Sequence, residues 1–289
     1  MDKTREEILS ILPDRISKKI SGYSFENLQE IRFRTSRPAV LYYSAEKVII
    51  DNLNITSEYI SEIVSNFCRN SVYAHWDDIR EGFVTLPGGH RVGIGGRAVK
   101  SDNTISGMTD FSSVNIRIAR EYKGSAASCM KYIINEERIL NTVIISPPGV
   151  GKTTLLRDIT RLLASIFKVT VIDERFEIAA MESGRPQFDI GNEADVLSGF
   201  PKSAGIAHAL RSLSPDVIIC DEIGTEKDRH AIEHILKGGC KIITSMHGYS
   251  IEEAIAKKKE LMELFDVCVL LWRNKGKPEV AKCLNLQEL

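Results

Sequence analysis

A short apolar run, Thr142–Ser146, leads directly into Ser146-Pro147-Pro148-Gly149-Val150-Gly151-Lys152-Thr153-Thr154, and an amphipathic run opening at Lys152 follows it. The phosphate-loop pattern is G-x-x-x-x-G-K-[ST] between a strand and a helix. Every position fits except the first, where Ser146 stands in place of Gly. Gly149 and Gly151 leave the backbone bare, so that N–H groups can approach phosphate oxygens. The start of the helix adds its dipole to the same spot. The expected ligand is ATP with Mg2+. Lys152 is placed on the β- and γ-phosphates and Thr153 on Mg2+, while Pro148, Gly149, Val150, Gly151 and Thr154 complete the cradle. A chance Gly-Lys-Thr-Thr before a helix is the bland alternative, and the strand–loop–helix context argues against it.

A second strand carries the matching acids. Asp216-Val-Ile-Ile-Cys-Asp221-Glu222 is an apolar run ending in two carboxylates. Such enzymes need one Asp to orient Mg2+ and another group to orient or activate water. Asp221 takes the first role and Glu222 the second, as general base. An acid directly after that Asp favours hydrolysis over transfer to a small molecule. The strand Lys168–Asp173 ends in Asp173-Glu174-Arg175-Phe176-Glu177, at the sheet edge where ligands of open α/β folds bind. Glu174 and Glu177 are therefore candidates, against the alternative of a solvated loop. Strand Lys241–Ser245 runs on to Met246-His247-Gly248, and His247 is a candidate sensor of the γ-phosphate; a lone His is as readily structural.

Strands alternate with helices from about residue 136 onward, which predicts a parallel sheet in an α/β domain over 136–289. Residues 1–122 differ, with short strands, one helix at Ser57–Cys68 and a hairpin around Pro87-Gly88-Gly89, the pattern of a small α+β domain. The Gly/Ser/Ala-rich start of 123–135 reads as a linker. In the N-terminal domain, Val92 and Ile94 share one strand face and Arg91 the other. Val114, Ile116 and Ile118 likewise oppose Arg117. Both arginines thus project from apolar-backed strands and are candidate arginine fingers, against the plain reading of exposed strand arginines.

Composition removes several function classes. The net charge of -1 lacks the basic excess of a nucleic-acid coat. The 6 cysteines are scattered singly and read as reduced core thiols of a cytosolic protein. MDKTREEILS has no signal-peptide core, and no run approaches the about 20 apolar residues of a membrane span. No direct membrane insertion is expected.

Three short matches fail their context. His230-Ala-Ile-Glu233-His234 has the H-x-x-E-H form of a zinc peptidase but falls on the helix after Asp221, in a domain committed to nucleotide. Gly93-Ile-Gly95-Gly-Arg-Ala98 lacks the helix a dinucleotide fingerprint requires. Asn274-Lys275-Gly276-Lys277 begins like a guanine-reading motif without its Asp, which tilts the base toward adenine.

With these residues in place the sequence resembles the stage III sporulation protein AA family of endospore-forming bacteria, itself related to secretion and pilus motor ATPases. The resemblance runs through Glu30–Arg34, Gly88–Gly93, Ile116–Arg120, Val171–Arg175, Asp189–Gly191, Ser214–Gly224 and Thr244–Gly248, nearly the whole chain. Ser146 and Phe176 depart from the expected Gly and small polar residue. The resemblance implies a RecA-like parallel sheet with strand order 5-1-4-3-2 and helices on both faces. It implies a ring-shaped homo-oligomer, a hexamer, in the cytoplasm of the mother cell. There it would power membrane-embedded sporulation channel proteins joining mother cell and forespore. It further implies that the box around Asp173–Glu177 helps hold Mg2+ and water, that His247 links the γ-phosphate to subunit movement, and that N-terminal-domain arginines approach the nucleotide.

Two other functions compete. A nucleic-acid-dependent ATPase of related type carries an extra binding module, for which the sequence beyond its last strand-like run leaves little room. A slow nucleotide switch needs no dedicated base, and Glu222 argues against it.

Overall fold

The computed structural model describes residues 3–44, 46–68, 75–80, 82–101, 104–136, 138–274 and 277–286. Lys275 and Gly276 of the Asn274–Lys277 run therefore lie outside the described residues. Contacts divide the chain into Met1–Arg120 and Glu121–Leu289.

The first unit opens with α1 (Lys3–Ser10) and α2 (Asp14–Ile20), followed by β1 (Leu28–Arg34), β2 (Pro38–Tyr43), β3 (Lys47–Asn54), α3 (Ser57–Phe67), α4 (Trp76–Arg80) and β4 (Val84–Thr85). A 3-10 turn at Pro87–Gly89 joins β4 to β5 (Arg91–Ser101), and β6 (Thr104–Arg117) closes the unit. The strands form one sheet in the order β3-β2-β1-β6-β5-β4. Its pairs are antiparallel throughout. Such a sheet can bury one face and leave the other polar. Ile31, Phe33, Leu41, Val92, Val114 and Ile116 sit in one core with Ile8 of α1, Ile16 of α2 and Ile60 of α3. The Thr56 hydroxyl caps α3 by accepting the Tyr59 N–H at 3.3 Å. The charged N-terminal segment concealed α1 and α2 from the sequence reading. Their lengths are about two turns each, and only Ile8, Ile16 and Ile20 mark the buried stripe.

The second unit begins with α5 (Met130–Ile133), β7 (Ile134–Asn135) and β8 (Arg138–Ile139). Then come β9 (Thr142–Ser146), α6 (Lys152–Leu163), β10 (Val169–Asp173), β11 (Ala194–Ser198), α7 (Lys202–Ser212), β12 (Val217–Glu222), α8 (Glu226–Lys237), β13 (Lys241–His247), α9 (Ile251–Lys257), α10 (Lys259–Met262), β14 (Val267–Asn274) and β15 (Lys277–Asn285). The segment expected as a linker contributes Ala126, Cys129 and Ile133 to this unit's core. Its small residues pack closely where composition alone suggested a spacer.

The sheet order is β11-β10-β12-β13-β9-β14-β15. The five strands read from the sequence lie in the expected order 5-1-4-3-2. Two more strands flank them: β11, parallel to β10, and β15, antiparallel to β14. Strand alternation splits the burial in two. Ile144, Val171, Ile219 and Ile243 pack with Leu155, Leu156 and Ile159 of α6. Val143, Ile145, Ile172, Ile218 and Ile242 face the opposite layer with Ile206 of α7, Ile232 of α8 and Ile251 of α9. This is the doubly covered α/β architecture with a parallel core. The helix expected over Ser250–Phe265 breaks at Lys258, whose backbone leaves the helical region (φ -139, ψ 46) and whose ammonium reaches the Gly224 carbonyl at 3.1 Å. Among the described residues no helix is long and apolar enough to cross a membrane.

Candidate nucleotide site

The site lies where the parallel strands β9, β10, β12 and β13 end. All five residues of β9 are buried. Ser146 is its last residue, pairs with His247 of β13 and has no positive φ. Its hydroxyl donates to the Pro147 carbonyl at 2.9 Å. A side chain is therefore tolerated at the position where Gly was expected. The turn is made later, at Gly149 (φ 73) and Gly151 (φ 125), in the left-handed region that favours glycine. Gly151 stands at the N-cap of α6 and, without a side chain, makes no cap hydrogen bond. The positive end of α6 therefore has no acceptor from its own N-cap residue. Pro148 and Gly149 are exposed there, Val150 is buried, and Thr153 and Thr154 are half-buried on the first turn.

Lys152 folds back beneath this loop and is buried. Its Nζ lies 3.3 Å from the Ser146 carbonyl oxygen, 3.4 Å from that of Pro147 and 2.8 Å from His247 Nδ1. Burial lowers the pKa of Lys152, while the charges of Glu222 and Glu177 oppose that shift. An ammonium only donates, so Nδ1 of His247 accepts. The proton of the neutral ring then sits on Nε2, which lies 2.8 Å from Glu222 Oε1. Lys152, His247 and Glu222 thus stand in one line of close polar contacts across the ends of β9, β13 and β12. The outer oxygen of Glu222 faces Arg175 at 3.7 Å.

Glu222 and Asp221 end β12 at a register irregularity. The pairing with β13 shifts between Ile219 and Glu222. The Thr244 hydroxyl secures the turn from β13 by donating to the Asp221 carbonyl at 2.7 Å. Asp221 is buried, and its Oδ2 has no hydrogen-bond partner. Burial pushes its pKa up to about 6, against the pull of Lys202.

The acids at and after the end of β10 have three separate environments. Asp173 is fully buried. Its Oδ1 accepts the Glu177 and Ile178 N–H groups at 2.7 and 3.0 Å, and its Oδ2 those of Ala179 and Ala180 at 2.9 and 3.2 Å. It is the staple of the loop, a role the sequence did not separate from its neighbours. Glu177 is carried back to α6, where its Oε2 accepts the Thr153 hydroxyl at 3.2 Å. Arg157 supports the same bend from below by donating to the Ile178 and Glu177 carbonyls at 2.9 and 2.8 Å. Glu174 turns the other way and pairs with Lys202 at 3.0 Å. Replacing Asp173 by Asn leaves one acceptor oxygen for four donors. We expect a loss of about 2–3 kcal/mol, the cost of buried donors left without partners. Chemical denaturation checks this, and a loss below about 0.5 kcal/mol would remove the staple.

The structure thus brings together Lys152, Thr153, Glu177, Asp221, Glu222 and His247. Lys202, which no motif flagged, joins them. His230 lies elsewhere, exposed on α8 beside Glu226 and Glu233 at 3.6 and 3.7 Å. Arg91 and Arg117 belong to the first unit. They face each other in the β5–β6 register, with Glu30 of β1 next in the same row. The Arg91 guanidinium stacks 4.2 Å from the centre of the Phe83 ring. Arg117 lines an open pocket with Glu30, Arg32 and Tyr42.

Comparison with known proteins places the fold and the family. Stage III sporulation protein AA of Bacillus subtilis is 36% identical over 290 residues, covering 96% of this chain and 94% of that one. The Legionella pneumophila ATPase DotB superposes with a TM-score of 0.65 at 16% identity, over 95% of this chain and 81% of its own. The pilus retraction motor PilT, solved with bound ADP, gives 0.61 at 12% identity, over 96% and 83%. At those identities the structural likeness establishes the fold, a RecA-like one. The sequence matches the family described as sporulation stage III, protein AA across residues 2–284, and the chain belongs to that family.

Proposed function

We propose that the chain is a Mg2+-dependent ATPase that works as a ring of identical copies and drives a secretion-like complex during sporulation. The observation that carries this reading is the line Lys152–His247–Glu222 beside the unpartnered oxygen of Asp221. It supplies a cation for the phosphates, an imidazole placed to report their arrival and a carboxylate placed for water. The uncapped start of α6 adds backbone donors for an anion. Thr153 and Asp221 would hold Mg2+, with Glu177 behind Thr153. An all-oxygen set suits that ion, and the orphaned Asp221 oxygen is a position a cation satisfies. Mg2+, when bound, neutralises charge on the β- and γ-phosphates. On ATP binding Lys152 exchanges His247 for phosphate oxygens, and Glu222, no longer tied to His247, accepts the proton of the attacking water.

Family membership and the relatives' descriptions support the wider role. DotB is described as an ATPase and PilT as a pilus retraction motor. By extension this chain acts from the cytoplasm on membrane-embedded channel proteins joining mother cell and forespore, as a hexamer and without nucleic acid. Arg91 and Arg117 supply positive charge to the transferring phosphoryl group, a contribution of about 10³–10⁵ in rate where such fingers are measured.

The test is ATP turnover with Mg2+, with and without single-stranded RNA and DNA, beside native mass with and without ATP. Steady turnover indifferent to nucleic acid, and a ring-sized species, are expected. Strong stimulation by nucleic acid would overturn the reading in favour of a nucleic-acid motor. Turnover below about one ATP per hour would favour the switch. Arg91→Ala or Arg117→Ala should lower turnover at least about tenfold, roughly 1.4 kcal/mol of transition-state stabilisation, with less effect on ATP binding. If the arginine serves a neighbouring copy, mixing either variant with Lys152→Ala protein restores part of the activity. Full activity in both single variants removes the finger.

A further inference from the structure

Lys202 opens α7 directly after Pro201, and its side chain is only 13% exposed. An ammonium has three donors, and here each meets an oxygen. Nζ lies 2.6 Å from the Glu222 carbonyl, 3.0 Å from Glu174 Oε2 and 3.2 Å from Asp221 Oδ1. These oxygens come from the ends of β10 and β12. They are the hard oxygen ligands that a divalent cation also seeks. The second oxygen of Asp221 is buried and unpartnered, so the carboxylate is half used.

We propose that Lys202 is a positioning residue that stands in for a divalent cation: it holds Asp221 and the backbone of Glu222 in the metal-free protein, and it yields Asp221 when the metal enters. This rests on the reading of Asp221 as a metal carboxylate. Two cations sharing one buried carboxylate repel each other strongly where water is scarce. Lys202 and the metal therefore compete for Asp221. The side chain has somewhere to go, because Glu174 and the Glu222 carbonyl keep two of its three bonds. In this way the acidic pair avoids being buried without a counter-charge, at the cost of weaker metal affinity before nucleotide binds. An ion pair serving only to fasten α7 would leave metal affinity unchanged when removed.

The experiment is direct Mn2+ binding, followed by electron paramagnetic resonance, to nucleotide-free protein. Lys202→Met should bind Mn2+ at least about tenfold tighter than wild type. Lys202→Arg should bind nearly as wild type, because the positive charge is kept. The gain should vanish in the Lys202→Met, Asp221→Asn double variant. Equal or weaker Mn2+ affinity in folded Lys202→Met overturns the proposal. A wild-type measurement covers the case in which the variant does not fold. Mg2+ added without nucleotide should shift the Lys202 Cε resonance, assigned by its absence in Lys202→Arg. A resonance unmoved at saturating Mg2+ also overturns the proposal. ATP binding by the same wild-type protein separates the two failures: its absence defeats the nucleotide reading, whereas ATP binding with unaltered Mn2+ affinity defeats only the role of Lys202.

Discussion

Lys152→Ala should lose ATP binding by at least about 100-fold, roughly 2.7 kcal/mol, while its fold and melting temperature stay near those of wild type. Without nucleotide, the Lys152 charge rests on two carbonyl oxygens and one imidazole nitrogen, all neutral acceptors. Those bonds are charge-assisted from the ammonium side only, whereas a phosphate adds the Coulombic attraction of a full opposite charge. Phosphate is therefore the better partner, and the low-dielectric pocket under the loop amplifies the difference. Burial already lowers the pKa of this ammonium, so it begins under-solvated and gains from meeting an anion. Truncation removes that gain and leaves His247 Nδ1 without its donor, a modest cost at an exposed ring. Titration with ATP by calorimetry, beside a thermal melt, checks the expectation. Unchanged affinity in a folded variant would sink the phosphate-loop assignment.

How much of this could be read from the sequence depended on burial. Strands covered on both faces, such as β9 and β12, appear as unbroken apolar runs, and a parallel sheet needs helices between them. That is why the five central strands could be read as a parallel sheet, while their order followed from the family resemblance. The edge strands were missed for the same reason. β11 (Ala194–Ser198) is only half-buried, and β15 carries Lys277, Pro278 and Lys282, residues typical of a sheet edge. Short helices with charged faces hid the start of the chain. Within the site, the motif residues were legible because phosphate chemistry fixes their spacing. The acids after β10 were legible as a group but not as individuals. Their separate roles depend on a loop that includes positive φ at Phe176 and Ala180, conformations that neither residue announces. Lys202 carried no signal at all. It is one Lys at the start of a helix, and only the fold of β10 against β12 gives it three oxygens.

Glu222→Gln separates binding from chemistry. The tautomer of His247 is fixed by Lys152, which can only donate, so the ring proton sits on Nε2, 2.8 Å from Glu222 Oε1. A glutamine carbonyl can take the same place beside Nε2 in nearly the same volume. The line from Lys152 through His247 to the substituted side chain then remains closed, the loop keeps its shape, and ATP should bind within about threefold of wild type. An amide, however, cannot take a proton from water. Loss of a general base costs about 10²–10⁴ in rate, so turnover should fall by that factor while the apparent KM changes little. A fall in kcat and kcat/KM together, without loss of ATP affinity, is the signature of an interaction made only in the transition state. Single-turnover hydrolysis with measured ATP binding gives both quantities on one preparation. Wild-type turnover in this variant would place the base elsewhere. Glu174 or Glu177 would then be the first alternative. Glu174 makes a poor proton acceptor while its ion pair with Lys202 at 3.0 Å holds.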